Sequence, residues 1–226
     1  MNFRPRLLLN LLTTKNMDIT QRHKNIFNPE NQMKITIIGA GSIGSNLTLL
    51  LARLGLTDIC VYDDDIVEDH NLGHQAFRVD DIFTLKTEAL RDIVKAATGT
   101  EIEIVSNQTD GKEIVTDILI LAVDSMAARK TIFENAKYSF CVDGRMGGET
   151  FNIYAFSGAD TEAYEKTLYS DAEASDLPCG GKSIGYVSYM ISALMEVMVK
   201  KIINEEEYPF EQNFCAKNLI YQTSWE

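Results

Sequence analysis

The sequence predicts an α/β fold, a Rossmann-like doubly wound sheet that is mostly parallel and carries helices on both faces. Three observations predict it. Short apolar runs rich in β-branched residues alternate with stretches of helical spacing between residues 34 and 136, which is typical of parallel sheets with right-handed crossovers. The glycine-rich turn GAGSIG joins the first run to the first helical stretch. The next run ends in an aspartate, as in sheets that bind nucleotides at their carboxyl edge.

Each element of the first half has its own local signal. Residues 34–39, KITIIG, form a short apolar run closed by glycine, which indicates a buried parallel strand. The apolar spacing over 42–54 indicates the helix that follows. By the same criteria we expect strands over 58–63, 101–105 and 116–124 and helices over 86–97 and 125–136.

The second half changes character. We expect strands over 138–144 and 149–157, a polar stretch over 158–182, a long helix over 183–204 and a last strand over 218–223. The long helix carries a methionine-bearing apolar stripe, which is typical of a core or of a dimer seam. The stripe consists of Val187, Met190, Ile191, Leu194, Met198 and Ile202. We expect one nucleotide-binding domain over 33–226, an N-terminal extension over 1–32, and a homodimer.

Composition excludes several classes of protein. The 21 Lys and Arg against 33 Asp and Glu give a net charge of −12, which argues against broad binding to nucleic acid or to an acidic membrane. The four cysteines form no C-x-x-C pair, so we expect neither a paired-thiolate zinc site nor a disulfide scaffold. The opening residues lack a secretory pattern, and no apolar run approaches the roughly 18 residues of a membrane span. We therefore expect a cytoplasmic protein.

The glycine turn predicts a nucleotide site. Gly39, Gly41 and Gly44 form G-x-G-x-x-G, with Ser42 inside the loop. The first glycine permits the tight turn, the second lets backbone amides approach phosphate, and the third lets the helix pack closely. Asp63 ends the following strand, where a carboxylate accepts hydrogen bonds from ribose hydroxyls. Since NAD and ATP both carry such hydroxyls, these residues leave the choice between them open.

The next stretch favours ATP through a resemblance. DDDIVEDHNLGHQ and a later lysine resemble the ThiF/MoeB/HesA family, bacterial relatives of ubiquitin-activating enzymes, whose pattern is D-x-D-x-V-x-x-x-N-L-x-R-Q followed by lysine. LAVDSMAARKTIF is similar to the family's D-(N/S)-x-x-x-R turn through Asp124 and Arg129. Weaker similarity in CVDGRMGG and in the long helix extends the resemblance over about residues 34–202. The first pattern is matched by Asp63, Asp65, Val67, Asn71, Leu72, Gln75 and Lys86.

The resemblance implies an adenylyltransferase that uses ATP and Mg²⁺. In this family the C-terminal carboxylate of a small ubiquitin-like or sulfur-carrier protein attacks the α-phosphate of ATP, giving an acyl adenylate and pyrophosphate. Some members act on short peptides instead, so the acceptor stays open. The reaction brings two anions together and needs cations and aimed donors at the phosphates.

The resemblance also implies the role of each matched residue. Asp63 would hold the ribose, and Asn71 and Gln75 the nucleotide or its phosphates, with Asp65 beside them. Lys86 would neutralise the phosphates. Asp124 would assist Mg²⁺ at the reacting phosphate.

Each acidic or basic position also has a structural alternative. Asp65 and Glu68 fit a solvated acidic loop, and Lys86 fits the start of a helix. Asp124 fits an N-cap for the helix that follows, a common position for aspartate.

One departure from the family pattern concerns the arginine before Gln75, which is His74 here. A neutral imidazole replaces a guanidinium fork poorly on a triphosphate. Either Arg78 or Arg22 supplies the charge, the latter from a neighbouring subunit, or triphosphate chemistry is impaired. The smaller ThiF-like proteins of phages and mobile elements resemble this variant. Cys179, in DLPCGGKS, is a candidate acceptor for the activated acyl group or for a persulfide, or else an incidental cysteine.

Two other functions stay open. A NAD-dependent oxidoreductase would use the same glycine loop, although none of the three histidines offers an obvious acid or base outside the acidic loop. A non-catalytic member that binds a nucleotide or a carrier tail is the other, and His74 motivates it.

Overall fold

The protein forms one mixed sheet flanked by helices. The computed structural model describes residues 18–169 and 184–225. In this part of the chain the sheet has eight strands in the order β3-β2-β1-β4-β5-β6-β7-β8. The strands are β1 (Ile35–Ile38), β2 (Ile59–Tyr62), β3 (Glu103–Val105), β4 (Val115–Leu121), β5 (Lys137–Gly147), β6 (Thr150–Ser157), β7 (Glu211–Cys215) and β8 (Ile220–Ser224).

The first five strands confirm the predicted parallel sheet. β1 pairs in parallel with both β2 and β4, and the parallel pairs β2–β3 and β4–β5 extend the sheet on either side. The chain therefore reverses its direction of travel across the sheet between β1 and β4. In doubly wound sheets the ligand crevice opens at the carboxyl ends of the strands at this point.

The last three strands extend the sheet in antiparallel fashion, with β5–β6, β6–β7 and β7–β8 as neighbours. The sequence did not predict β7. Its sequence EQNFC has no clear alternation, and it is a strand because β6 and β8 pair with it on both sides.

Helices cover both faces, as predicted. They are α1 (Gly44–Leu54), α2 (Lys86–Thr98), α3 (Met126–Asn135), α4 (Glu162–Glu165) and α5 (Gly185–Ile203). Alternate residues of β4 point to opposite sides: Ile118 and Ile120 join the cluster packed by α1, α2 and α5, whereas Leu119 and Leu121 join the cluster packed by α3 and α4. None of the helices in the described ranges is both long and apolar enough to cross a bilayer.

The methionine-bearing stripe of α5 lies in the core. Val187, Ile191, Met198 and Ile202 are buried, and the stripe's other two members are partly buried against the same cluster. The outward face of α5 carries exposed tyrosines and a valine instead. The expected homodimer stays a prediction.

Residues before the predicted domain boundary also pack on the domain. Phe27 is 1% exposed and belongs to the larger core cluster. The His23 ring nitrogen Nε2 lies 3.1 Å from the carbonyl oxygen of Leu54, at the end of α1. Asn204, at the end of α5, donates to the carbonyl of Ile26. The boundary at residue 33 remains a prediction, and residues 1–17 lie outside the described part of the chain.

Candidate nucleotide site

The glycine loop lies where β1 and β4 end side by side. Gly39 follows β1 with φ of 96°, in the left-handed region that favours glycine. A Cβ at Gly39 would lie 2.7 Å from the carbonyl oxygen of Ala122, just after β4. Both the dihedral angle and the close approach therefore require glycine, and they place the loop over the crevice between the two strands.

The other two glycines differ in their surroundings. A Cβ at Gly44 would lie 1.8 Å from the carbonyl oxygen of Gly39, so the start of α1 packs directly on the turn. A Cβ at Gly41 would meet no atom within 4 Å. The space over Gly41 is thus open to a ligand that approaches the backbone, as the sequence predicts for phosphate.

The Asp63 carboxylate joins the glycine loop to the loop after β2. Its Oδ2 accepts a hydrogen bond from the backbone N–H of Ala40 at 2.7 Å, and its Oδ1 accepts one from Asp65 at 2.9 Å. Burial raises the pKa of Asp63 above its ordinary value, and Lys86 and the two N–H groups oppose that rise. The carboxylate is therefore held in position by backbone donors.

Lys86 lies at the start of a helix, as its structural alternative predicts, and its role at the phosphates stays a prediction. It begins α2, and its side chain is 9% exposed. Its Nζ lies 2.7 Å from Oδ2 of Asp65 and 4.0 Å from Oδ1 of Asp63. A cation is thus held at the loop between a buried and an exposed carboxylate, since the Asp65 side chain is 66% exposed.

The acidic loop is ordered by its own side chains. Glu68 is the N-cap of the 3₁₀ turn Asp69–Gly73, in a capping box with Asn71. The amide oxygen of Asn71 accepts a hydrogen bond from the Glu68 N–H at 2.9 Å. The solvated-loop alternative therefore describes Asp65 and Glu68 only in part, because Asp65 pairs with Lys86 and Glu68 caps a turn.

Gln75 has an unsatisfied buried atom. The residue is 7% exposed, and its Oε1 has no hydrogen-bond partner among the described residues. Buried polar atoms without a partner are uncommon and ask for an explanation. A ligand donor at this position would satisfy it.

Two residues of α1 that the sequence analysis did not single out hold the loops together. The Asn46 amide donates to the carbonyls of both Ser42 and His74, at 2.8 and 3.1 Å. Ser45 Oγ accepts a hydrogen bond from the backbone N–H of Ala76 at 3.1 Å. The sequence signal for this role was the polar pair Ser45 and Asn46 near the start of a helix that is otherwise mostly apolar.

His74 contacts the glycine loop directly. Its Nδ1 lies 2.6 Å from Oγ of Ser42. Burial lowers the pKa of His74 below 6.5, and the nearby His70 and Lys86 lower it further. The residue that replaces the family arginine is therefore a neutral imidazole bonded to the loop hydroxyl near pH 7.

The two candidate phosphate arginines have other surroundings. Arg78 forms a two-point ion pair with Asp81, at 3.1 and 2.9 Å. Arg22 is exposed, and its neighbour His23 contacts Leu54 at the far end of α1. The 11 residues of α1 separate that end from the glycine loop by about 16 Å. A phosphate role for Arg22 thus requires a second subunit, and both assignments remain predictions.

Asp124 is exposed in the loop after β4. The interpretation of Asp124 as the cap of the following helix was wrong. Ser125 is the N-cap of α3, and its side chain accepts a hydrogen bond from the N–H of Ala128 at 3.2 Å. The reason is geometric, because the helix begins at Met126 and the cap is the residue just before it.

Behind Asp124 lies a buried charge network that the sequence analysis did not identify. Arg129 is 3% exposed and bonds both the carbonyl of Val123 and the carboxylate of Asp143. Asp143 also accepts hydrogen bonds from Arg145 at 2.7 Å and Tyr164 at 2.9 Å. Burial lowers the pKa of Arg129 to about 10. The network ties the Asp124 loop to β5. Its local signals were Arg129 in the family's turn pattern and an aspartate inside the apolar run CVDG.

Three cysteines lie in strands of the sheet. Cys60 and Cys141 are buried, and Cys215 is partly buried. Cys179 lies outside the described residues, so its role stays a prediction.

Comparison with known proteins identifies the family. The model of the ThiF family matches residues 23–226. The chain is 31% identical over 138 residues to the NEDD8-activating enzyme E1 catalytic subunit of Arabidopsis thaliana, a match covering 53% of this chain and 30% of that protein. It is 30% identical over 103 residues to the SAMP-activating enzyme E1 of Haloferax volcanii, covering 42% and 38%. The matches thus span well under two thirds of these curated relatives.

Solved structures share the fold over nearly the whole chain. A crystal structure of E. coli MccB with AMPCPP and MccA aligns with a TM-score of 0.74 and 15% identity, covering 99% of this chain and 79% of MccB. A structure of PaaA aligns with a TM-score of 0.69 and 16% identity, covering 87% and 65%. At such identities the likeness shows the fold.

Proposed function

The chain belongs to the ThiF family, and on that premise we propose that it adenylates a C-terminal carboxylate with ATP. A carboxylate oxygen forms a bond to the α-phosphorus, the bond from that phosphorus to the β-phosphate oxygen breaks, and pyrophosphate leaves. The acceptor is a small ubiquitin-like or sulfur-carrier protein, or a peptide.

The position of Lys86 carries this proposal. Negative charge grows on the departing pyrophosphate, and a preorganised cation there stabilises the transition state. The Lys86 ammonium lies 4.0 Å from the carboxylate assigned to the ribose. Its closer partner, Asp65, is 66% exposed. Because the Asp65 carboxylate is open to solvent, it can leave the Lys86 ammonium and be replaced there by a phosphate oxygen.

The surroundings of the glycine loop fit a nucleotide. Gly41 has open space above its backbone, and Gln75 presents an unpaired Oε1. Mg²⁺ commonly binds through one or two carboxylates together with substrate phosphates. Within the described ranges no group of three His, Cys, Asp or Glu could hold a metal ion, so Asp124 would bind Mg²⁺ only together with ATP.

Pyrophosphate exchange tests the proposal. We expect Lys86→Met to lower the rate of carrier-dependent exchange between pyrophosphate and ATP by about 10²–10³-fold, the usual effect of removing a transition-state donor. Lys95→Met is the matched control, because Lys95 lies on the same helix and forms a surface pair with Glu101. Both variants are checked for unchanged unfolding midpoints.

Two results would refute the proposal. One is equal exchange rates for the Lys86 and Lys95 variants. The other is absence of ATP binding in the unaltered chain with every carrier or peptide supplied. Candidate carriers are small proteins ending in Gly-Gly, encoded beside this chain's gene.

The acyl adenylate needs an acceptor, and Cys179 is the candidate in this chain. We expect Cys179→Ala to retain pyrophosphate exchange and to lose any thiol-linked carrier adduct, detected on a non-reducing gel. An adduct that persists in the variant excludes this cysteine.

The proposed assembly is a homodimer in the cytoplasm. The outward face of α5, with exposed Tyr186, Tyr189 and Val197, supports a seam between copies, since exposed apolar patches mark association sites. Sedimentation of the chain and of Tyr189→Glu tests it, with a shift toward monomer expected in the variant.

A non-catalytic nucleotide-binding member is the second candidate, and the contact of His74 with Ser42 favours it over a NAD-dependent enzyme. His74 lacks the permanent charge that the family arginine would place beside the glycine loop. A non-catalytic member predicts ATP binding without exchange, which the assay above distinguishes directly.

A further inference from the structure

We propose that His74 and Ser42 make triphosphate binding depend on proton uptake, so that His74 becomes charged when the nucleotide binds. The inference rests on the proposed nucleotide function of the glycine loop. On this inference, His74 supplies the positive charge that the family arginine would otherwise supply, but only when the nucleotide is bound.

The geometry of the pair is preset. Ser42 lies in the glycine loop, and its Oγ is 2.6 Å from Nδ1 of His74. The single amide of Asn46 donates to the backbone carbonyls of both residues. Asn46 is 6% exposed, so the two residues are held together by a buried third group before any ligand arrives.

The direction of the hydrogen bond follows the charge of the imidazole. When Nδ1 carries no proton, the Ser42 hydroxyl donates to it, and the hydroxyl proton points away from the loop. When the ring is an imidazolium, Nδ1–H donates to Ser42 Oγ, and the hydroxyl proton can turn to a phosphate oxygen. One proton comes from solvent, and no covalent bond changes.

A polyanion at the loop favours the charged form. It attracts the imidazolium directly, and it accepts a hydrogen bond from the Ser42 hydroxyl, which the imidazolium always frees because both of its ring nitrogens carry protons. Among the described residues, the charged groups that act on His74 are His70 and Lys86. The other described residues that contact this segment are uncharged: Ser42 from the glycine loop, Asn46 from α1 and Gly185 from the start of α5.

The free protein keeps His74 neutral. Burial, His70 and Lys86 all lower its pKa. A bound phosphate would neutralise the charge of Lys86 and so remove its effect on His74. A guanidinium at this position would be charged at every pH. The imidazole–hydroxyl pair instead binds a triphosphate more tightly as pH falls toward the pKa of His74.

Calorimetry with AMPCPP and Mg²⁺ tests the inference. Titrations at one pH in two buffers of different ionisation enthalpy measure the protons taken up on binding. We expect His74→Gln to take up fewer protons than the unaltered chain, by a difference approaching one, because glutamine can bond Ser42 but cannot titrate. His23→Gln, a change at a ring that contacts Leu54 at the far end of α1, is the control and keeps the uptake. Since the ligand's own protonation is common to all three proteins, the difference isolates His74.

The affinity gives a second readout. Between the pKa values of the free and bound forms, linkage predicts up to about a tenfold gain in affinity per unit fall in pH, and the gain should be absent in His74→Gln. If that variant fails to fold, the ¹⁵N shifts of His74 in the unaltered chain decide, with a pKa that rises on adding AMPCPP. Binding with equal uptake in both proteins, or a histidine pKa that stays constant, overturns this inference alone. No binding of AMPCPP at any pH overturns the proposed function as well.

Discussion

Removing the charge of Asp143 should destabilise the fold far more than removing a surface charge. Asp143 is 0% exposed and bonds Arg129, Arg145 and Tyr164. Asp143→Asn leaves two guanidinium groups without their carboxylate. The asparagine amide offers one acceptor oxygen and one NH₂ group where the carboxylate offered two acceptor oxygens to its three donors. Breaking a buried ion pair in this way costs about 3–5 kcal/mol. For a chain of this size the melting temperature should fall by about 6–20 °C.

Guanidinium denaturation followed by circular dichroism measures the change. Asp160→Asn is the matched control, because Asp160 is exposed, and a surface change of this kind stays within about 0.5 kcal/mol. Tyr164→Phe should give an intermediate loss of about 1–3 kcal/mol, since it removes one hydrogen bond and retains the charge. A loss below about 1 kcal/mol for Asp143→Asn would refute the view that this network holds the loop after β4.

Three further predictions follow from the site and the core. Gly44→Ala should lower the free energy of unfolding by about 1–3 kcal/mol or more through overpacking, because the added Cβ would lie 1.8 Å from a carbonyl oxygen. Gly41→Ala should unfold like the unaltered chain, because the added methyl group meets no protein atom, and it should bind ATP more weakly. Burial raises the pKa of Cys60 to about 11 and also that of Cys141, so both should resist alkylation at pH 8 until the protein unfolds; labelling of either in the native state, read by mass spectrometry, would contradict their placement. Because the pKa of His74 in the folded protein lies below 6.5, the unfolded chain binds more protons than the folded chain as the pH falls through that range. The urea midpoint should therefore fall more steeply from about pH 7 to 5.5 in the unaltered chain than in His74→Gln. Equal slopes for the two proteins would contradict the lowered pKa of His74.

The strands and helices of the first half could be predicted because their signals are local. Apolar runs closed by glycine, such as the one over 34–39, match β1 (Ile35–Ile38), and the helical spacing over 86–97 matches α2 (Lys86–Thr98). The strand β7 could not be predicted, because EQNFC becomes a strand through pairing with residues far away in the chain. Pairing of that kind leaves little trace in a short window of sequence.

The candidate site shows the same division. Asp63 could be named because it ends a predicted strand, and Lys86 because it matches the lysine of the family pattern. The structure brings their side chains within 4.0 Å. The cap of α3 by Ser125 depends on where the helix begins, to within one residue. That is finer than hydrophobic spacing resolves.

Hydrophobic periodicity and the glycine turn alone determined that this chain forms a doubly wound sheet with a glycine loop at its carboxyl edge. They did so because each depends only on residues a few positions apart. Only the tertiary structure decided which charges meet: the contact of His74 with Ser42, the shared amide of Asn46 and the burial of Asp143 among Arg129 and its neighbours. Such contacts join distant segments, and their energies depend on burial and on distances of a few ångströms, which no spacing along the chain specifies.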